Sequence, residues 1–162
     1  MNRSDFFCGE PELDAYLKER AGQDMKRGFS TVVTACDDSQ PDMIVGFYTL
    51  CAAAILLTAL PPTETRKMPR YPWVPAIRLG RLAVSASMQK QHIGSLLVMD
   101  ALHRACRNEL AWAVFLVDAK NDRVARFYEK FLFQPFPDNR CVLWQHRKQT
   151  EAVAATVAHY KK

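Results

Sequence analysis

An apolar run, Ile77–Val84, and a run of helical periodicity starting at Ile93 are separated by a short polar turn that ends Gln89-Lys-Gln-His92. A strand, a turn and a helix in that order aim the unpaired N–H groups of the first helical turn at one spot. Such a spot suits a phosphate or pyrophosphate, which makes Gln89–Ser95 the first candidate site. A second group is basic. Arg66, Lys67 and Arg70 lie in Pro61–Pro75, a segment with five prolines and two aromatic residues, Tyr71 and Trp73. A long irregular stretch in a compact domain is usually functional or disordered, and two aromatics argue for partial docking onto the body. The phenol of Tyr128 lies on an apolar stripe with Val124, Phe127 and Phe131, which periodicity assigns to the core.

These groups need a scaffold, and the chain supplies its pattern. Pro11 opens a helix at a first-turn position, Leu13, Tyr16, Leu17 and Ala21 form its apolar stripe, and Gly28 marks its end. Thr31–Ala35 and Ile44–Leu50 read as the two strands of a hairpin around the turn Asp37–Asp42. Ile77–Val84 is a further strand, Ile93–Leu110 a helix with Leu97, Ala101 and Ala105 along one face, and Ala113–Val117 another strand. Asp122–Phe131 reads as a helix, Cys141–Trp144 as a last short strand, and Glu151–Ala158 as an alanine-rich helical tail, marginal by itself. Hairpins first and helical crossovers later predict an α/β or α+β sandwich around a mixed sheet. One domain is expected, with a core over about residues 6–146 and a C-terminal tail over 147–162.

Composition bounds the rest. The chain has 162 residues, of which 49% are hydrophobic, enough for one domain with a substantial core. No apolar run reaches the roughly 18–20 residues of a membrane span, and the N-terminal residues lack a signal-peptide core. The five cysteines are scattered and none is at C-x-x-C spacing, so a zinc site is not expected. Cys36, Cys51 and Cys106 lie in apolar segments and are expected as small core residues, which fits a reducing cytoplasm. The net charge of +5 is compatible with ordinary solubility and with attraction to a polyanion such as RNA or an acidic cofactor.

Four phrases together carry a family likeness: Arg78-Leu-Gly-Arg-Leu-Ala-Val84, Gln89-Lys-Gln-His-Ile-Gly94, Asp118-Ala-Lys-Asn121 and Phe127-Tyr-Glu-Lys-Phe131. They resemble the GNAT superfamily of acetyltransferases. With the opening Phe7-Cys-Gly-Glu-Pro-Glu-Leu-Asp-Ala-Tyr-Leu17, they resemble within it the TacT/AtaT-type toxins of bacterial toxin–antitoxin systems. The likeness runs from about Phe6 to Trp144. It implies the GNAT fold, a mixed central sheet flanked by helices, and acetyl-CoA as cofactor. It also implies transfer of acetyl to the α-amine of an aminoacyl-tRNA, which stops translation, and action in the cytoplasm as a homodimer neutralised by a ribbon-helix-helix antitoxin. Other enzymes of this fold act on protein N-termini or small amines. A degenerate copy would serve only as a regulatory partner of an antitoxin.

The resemblance also implies roles for residues. Leu82, Ala83 and Val84 pair through their backbone with the pantetheine arm, and N–H groups at the Val84 end polarise the thioester. Gln89, Lys90, Gln91, His92, Ile93, Gly94 and Ser95 cradle the pyrophosphate. Tyr128 donates a proton to the leaving thiolate, and Asn121 lies by the same arm, though Asn121-Asp122 is equally a helix N-cap pair. Arg66, Lys67, Arg70, Arg78 and Arg81 hold tRNA phosphates. Trp73, by its own chemistry and apart from the resemblance, either plugs its loop against the body or stacks on an RNA base.

Three departures from the family pattern stand out. Lys90 and His92 occupy loop positions that are usually glycine, where φ must be positive or a ligand comes close. Their side chains would crowd the pyrophosphate or add favourable charge to it. Leu132 stands where a helix C-cap glycine is usual. A first strand usually precedes the Cys-Gly turn, and here the sheet is expected to lack that edge strand.

Overall fold

A computed structural model describes residues 2–158 of the chain, with side chains through Thr156. Its elements follow in the order α1 (Pro11–Ala15), a π-helical stretch (Tyr16–Arg20), α2 (Ala21–Lys26), β1 (Thr31–Asp37), β2 (Gln40–Leu56), α3 (Pro62–Thr65), β3 (Trp73–Val84), α4 (Ile93–Cys106), β4 (Val114–Asp118), α5 (Asp122–Glu129), β5 (Gln134–Phe136), β6 (Asn139–His146) and α6 (Arg147–Ala158). The six strands form one sheet in the order β1-β2-β3-β4-β6-β5. The hairpin β1/β2 and the pairs β4/β6 and β5/β6 are antiparallel. Neighbours β3 and β4 are joined in sequence through the helix α4.

The chain clusters into two compact units. The first comprises residues up to Cys51 with Leu79–Ala101. Its core gathers Phe6, Cys8, Tyr16, Leu17, Ala21, Ile44, Phe47 and Ala83. Phe47 lies between the edge of Phe6, at 5.5 Å, and the stacked ring of Tyr16, at 6.2 Å. The helical segment ends where expected, with Gly28 at φ +73°, a left-handed position that costs glycine little. The second unit comprises Ala52–Arg78 with Leu102 onward. Its core gathers Leu60, Val74, Ala76, Val114, Leu116 and Trp144.

Several boundaries differ from the sequence reading. The crossover helix stops at Cys106 and not at Leu110, because Asn108-Glu109-Leu110 folds into a turn in which Leu110 N–H bonds the Asn108 side chain. The last strand is longer than Cys141–Trp144, and β5 had not been expected. Pro135 within β5 hides its strand character, and this strand sits at the sheet edge, where a proline is tolerated. The proline-rich segment is less irregular than expected: α3 takes up Pro62–Thr65, and β3 starts at Trp73. Tyr71 and Trp73 do not dock; they are 70% and 58% exposed. Cys36, Cys51 and Cys106 are only half-buried, and the buried cysteine is Cys8. Among the described residues no strand precedes α1, where Asn2 makes a lone parallel bridge to Met43. The alanine-rich tail is helical, extended back to Arg147.

Candidate active site

In the first unit the site is built at the end of β3. Leu79 and Ala83 are buried, with Leu82 and Val84 half-buried. Beyond Val84 the chain is tied down twice: Ser85 N–H donates to the Val45 carbonyl and Ala86 N–H to the Phe7 carbonyl, each at 2.8 Å. Those two N–H groups belong to the fold, so neither is left to polarise a thioester. A short 3-10 turn, Ala86–Met88, leads to Gln89. The Gln89 amide donates to the Cys8 carbonyl at 2.9 Å and to the Val84 carbonyl at 3.1 Å. A primary amide has two N–H donors. Both are used to clamp the loop to the strand end and the N-terminal segment, which leaves only the Gln89 backbone N–H for an anion.

The next residues adopt the conformation that glycine would. Lys90 lies at φ +64° and His92 at φ +62°, both with exposed side chains. Left-handed residues alternating with ordinary ones form the backbone concavities that bind anions. Immediately after them α4 begins, and the N–H groups of Ile93, Gly94 and Ser95 have no earlier helical carbonyl to bond. The start of α4 is held from below by Gly46 of β2. A Cβ there would stand 2.8 Å from Leu97 Cδ1 and 3.0 Å from the Ala83 carbonyl oxygen. Tyr48 adds a hydrogen bond from its hydroxyl to Asp100, at 2.5 Å. The loop therefore has the backbone shape of an anion-binding concavity.

Arg81 has a different occupation from the one the sequence suggested. Its guanidinium lies 3.8 Å from the centre of the Tyr16 ring, a cation–π contact that fastens β3 to the π-helical stretch. Burial, more than any other cause, raises the Tyr16 pKa, and its hydroxyl donates to Asp24 at 3.0 Å.

In the second unit the candidate residues converge at the ends of β4 and α5. Asn121 is the N-cap of α5, its side-chain oxygen accepting from Val124 N–H at 3.0 Å. Its amide N–H groups remain available to a ligand. Two turns on, Tyr128 is buried between the ring edges of Phe127 and Phe133, with centroids at 5.3 and 6.0 Å. Burial raises its pKa well above the ordinary 10.0, and the negative charge of Asp118 adds to the rise. Among the described residues the Tyr128 hydroxyl meets no hydrogen-bond partner. It is a neutral proton donor with its donor position open.

Asp118, at the C-terminal end of β4, faces Arg78 across 3.6 Å. Burial raises the Asp118 pKa and the Arg78 charge offsets part of that. Arg78 Nε is buried with no partner. Sequence reasoning had quoted Asp118 within a motif and assigned it no role. The signal was its place at the C-terminal end of a buried apolar strand, a common position for ligand-facing residues in α/β sheets.

The far end of α5 is pinned. Leu132 is at φ +69°, in the left-handed conformation of the glycine it replaces, and the fully buried Gln145 donates from Nε2 to the Phe131 carbonyl at 2.6 Å. Thr150 in turn donates to Gln145 Oε1 at 2.9 Å. Arg66, Lys67 and Arg70 are exposed.

A left-handed loop ahead of a crossover helix suits an acyltransferase that uses a nucleotide-bearing thioester. The sequence profile of the acetyltransferase (GNAT) family matches residues 2–133, and the chain belongs to that family. Among its relatives is a protein of Mycobacterium tuberculosis named tRNA-acetylating toxin, 33% identical over 152 residues that span 93% of this chain and 89% of the relative. The fold is also similar to a solved structure of AtaT complexed with acetyl-methionyl-tRNAfMet. That likeness has a TM-score of 0.85 and 28% identity, and covers 94% of this chain and 91% of the other. A structure of AtaTR bound with AcCoA is similar too, with a TM-score of 0.81, 26% identity and coverage of 94% and 90%.

Proposed function

We propose that the chain is an acetyltransferase toxin that moves the acetyl group of acetyl-CoA onto the α-amine of an aminoacyl-tRNA. The observation that supports the chemistry is Tyr128, a buried phenol whose hydroxyl has no hydrogen-bond partner among the described residues. The relative's name and the tRNA complex of AtaT support the substrate class.

The residues fit the cofactor. The backbone of Leu82–Val84 would hold the pantetheine arm. The concavity from Lys90 to Ser95, with the first N–H groups of α4, would hold the pyrophosphate. The Lys90 ammonium adds a point charge there. When bound, acetyl-CoA supplies an acetyl group activated as a thioester. An α-amine titrates near 7.7–8.0, so much of it is already a neutral nucleophile at working pH and no strong general base is required. The amine must lose a proton and the departing thiolate must gain one. At working pH the Tyr128 phenol is protonated with or without its raised pKa; it can pass its proton to the thiolate, and its phenolate, costly in a buried site, takes up the proton that the amine loses. Tyr128 is therefore a relay.

Arg66, Lys67 and Arg70 are free to meet tRNA phosphates. Arg78 and Arg81 are engaged with Asp118 and Tyr16, so their part in holding RNA is the smaller one. Once its amine is acylated, the charged tRNA cannot accept the growing peptide and translation stops. The expected setting is the cytoplasm, as a homodimer with a ribbon-helix-helix antitoxin. The left-handed backbone that Lys90 and His92 keep at these positions supports an active enzyme over a degenerate regulatory copy.

The test is acetylation of charged tRNA by purified protein, followed by arrest of cell-free translation. Tyr128→Phe should keep fold and acetyl-CoA affinity and lower turnover by about 10²-fold or more, the usual worth of a positioned proton donor. Activity on peptides or polyamines alone would refute the tRNA reading, and unchanged turnover of Tyr128→Phe would remove Tyr128 from its role.

A further inference from the structure

The segment between α3 and β3 presents a surface that the reaction chemistry does not use. Tyr71 and Trp73 stand 70% and 58% exposed, one residue apart, with Pro72 between them. Their backbone is not loose. The Pro72 carbonyl accepts from Leu57 N–H at 2.9 Å, and Trp73 opens β3 with its neighbour Val74 buried. Strand alternation then turns Trp73 and Pro75 outward and Val74 and Ala76 inward. Arg66, Lys67 and Arg70 precede the pair within eight residues, all exposed. The nearest carboxylate before the segment, Glu64 of α3, is bound by His146 at 2.5 Å.

Two large aromatic faces held in water by a fixed backbone lose apolar burial unless something covers them. The surrounding charge selects the occupant. A second copy of this chain placed face to face would bring like charges together. An RNA strand would bring phosphates to the cations and bases to the rings, the combination found in single-strand binding surfaces.

We propose that Tyr71 and Trp73 form a stacking platform for unpaired bases at the single-stranded 3′ end of the acceptor RNA, with Arg66, Lys67 and Arg70 holding the adjoining phosphates. This rests on the reading of the substrate as a charged tRNA, and it extends that reading from charge to base contact. The platform is sequence-tolerant, because every base offers a π-face. The cations supply the salt-dependent part of the affinity and the rings supply a part that salt does not alter.

The protein carries its own reporter. Of its three tryptophans, Trp112 and Trp144 are buried and Trp73 is exposed. An uncharged RNA hairpin ending in a few unpaired 3′ nucleotides should quench the intrinsic fluorescence of the full-length protein. The same hairpin with a blunt end should quench it much less. Trp73→Ala should bind the tailed hairpin about tenfold more weakly, near the low end of one stacked base, with an unchanged slope of affinity against salt. Trp73→Phe should retain binding, measured by anisotropy of labelled RNA, while losing the quenching. Lys67→Ala should reduce the salt slope by about one.

Since both rings are exposed, thermal unfolding of these variants should match the parent. Unaltered RNA affinity in Trp73→Ala overturns the proposal. So does a shift from dimer to monomer in sedimentation of that variant, which would make the face an interface between copies. A protein that binds the tailed hairpin through Trp73 yet acetylates no charged tRNA would refute the function and leave the platform standing. Acetylation of charged tRNA with no Trp73 effect would do the reverse.

Discussion

Lys90 and His92 adopt φ values of +64° and +62° although neither is glycine, and the consequence can be measured by replacing each with glycine and with alanine. Both replacements remove the side-chain charge; alanine keeps the Cβ and glycine does not, so the difference between them isolates the left-handed backbone. For an L-residue that conformation costs about 1–2 kcal/mol. Glycine gives back about 0.4–1 kcal/mol through the greater freedom of its unfolded chain. The net gain of glycine over alanine is about 0.5–1 kcal/mol per site, or about 1–2 kcal/mol for both together. At about 2–4 °C per kcal/mol for a chain of this size, the doubly glycine-substituted protein should melt several degrees above the doubly alanine-substituted one.

Cofactor affinity should behave differently. The left-handed conformation belongs to the backbone of Lys90 and His92 themselves, so its cost falls on folding. Calorimetry with acetyl-CoA should show the glycine and alanine variants binding alike, both more weakly than the parent by the few-fold worth of a lost Lys90 charge. Glycine variants that bind acetyl-CoA more tightly than alanine variants but melt no higher would refute this reasoning. They would show that the Cβ crowds the cofactor and that the loop carries no strain.

Three further outcomes follow from packing and titration. Gly46→Ala places a Cβ 2.8 Å from Leu97 Cδ1 and 3.0 Å from the Ala83 carbonyl. Chemical denaturation should register a loss of about 1–3 kcal/mol, because the leucine can turn away but the carbonyl cannot. Gln145→Leu removes the donor to the Phe131 carbonyl and the acceptor for Thr150. It should cost about 2–3 kcal/mol for buried groups left unpaired and lower turnover by loosening the helix that carries Tyr128; full turnover in this variant would separate that brace from catalysis. The Cys8 thiol is pushed from an ordinary 9.0 up to about 11, first by burial and then by its contact with Asp14. Because the folded value is the higher one, its contribution to stability is whole below about pH 9 and is lost as pH rises towards 11. Replacing Cys8 with alanine should flatten the stability profile over that window, and in the parent Cys8 should be the slowest cysteine to alkylate at pH 8.

How far the sequence could be read depended on whether a residue's neighbours in space are also its neighbours in the chain. The helical stripe from Leu13 to Ala21, the hairpin turn and the N-cap at Asn121 were legible because their causes are local: periodicity, turn chemistry and a capping oxygen three residues from its donor. The positions of Lys90, His92 and Leu132, where the family pattern has glycine, were legible only through the resemblance, and each proves to have positive φ. Strand β5 was not, since a three-residue edge strand containing proline leaves no periodic signal.

The site divides along the same line. Sequence alone determined the family, the loop with its helix start, and the tyrosine on its helix, because each rests on contiguous residues. Tertiary structure decided what those residues are free to do. Gln89 spends its amide on carbonyls of Cys8 and Val84, Arg78 meets Asp118 and Arg81 covers Tyr16. Tyr128 owes its raised pKa to burial and to a charge ten residues away. Trp73, legible equally as a plug or a platform, proves exposed only because β3 begins there and turns it outward. Hydrogen bonds, desolvation and exposure depend on which surfaces meet, and chain order does not encode that at short range.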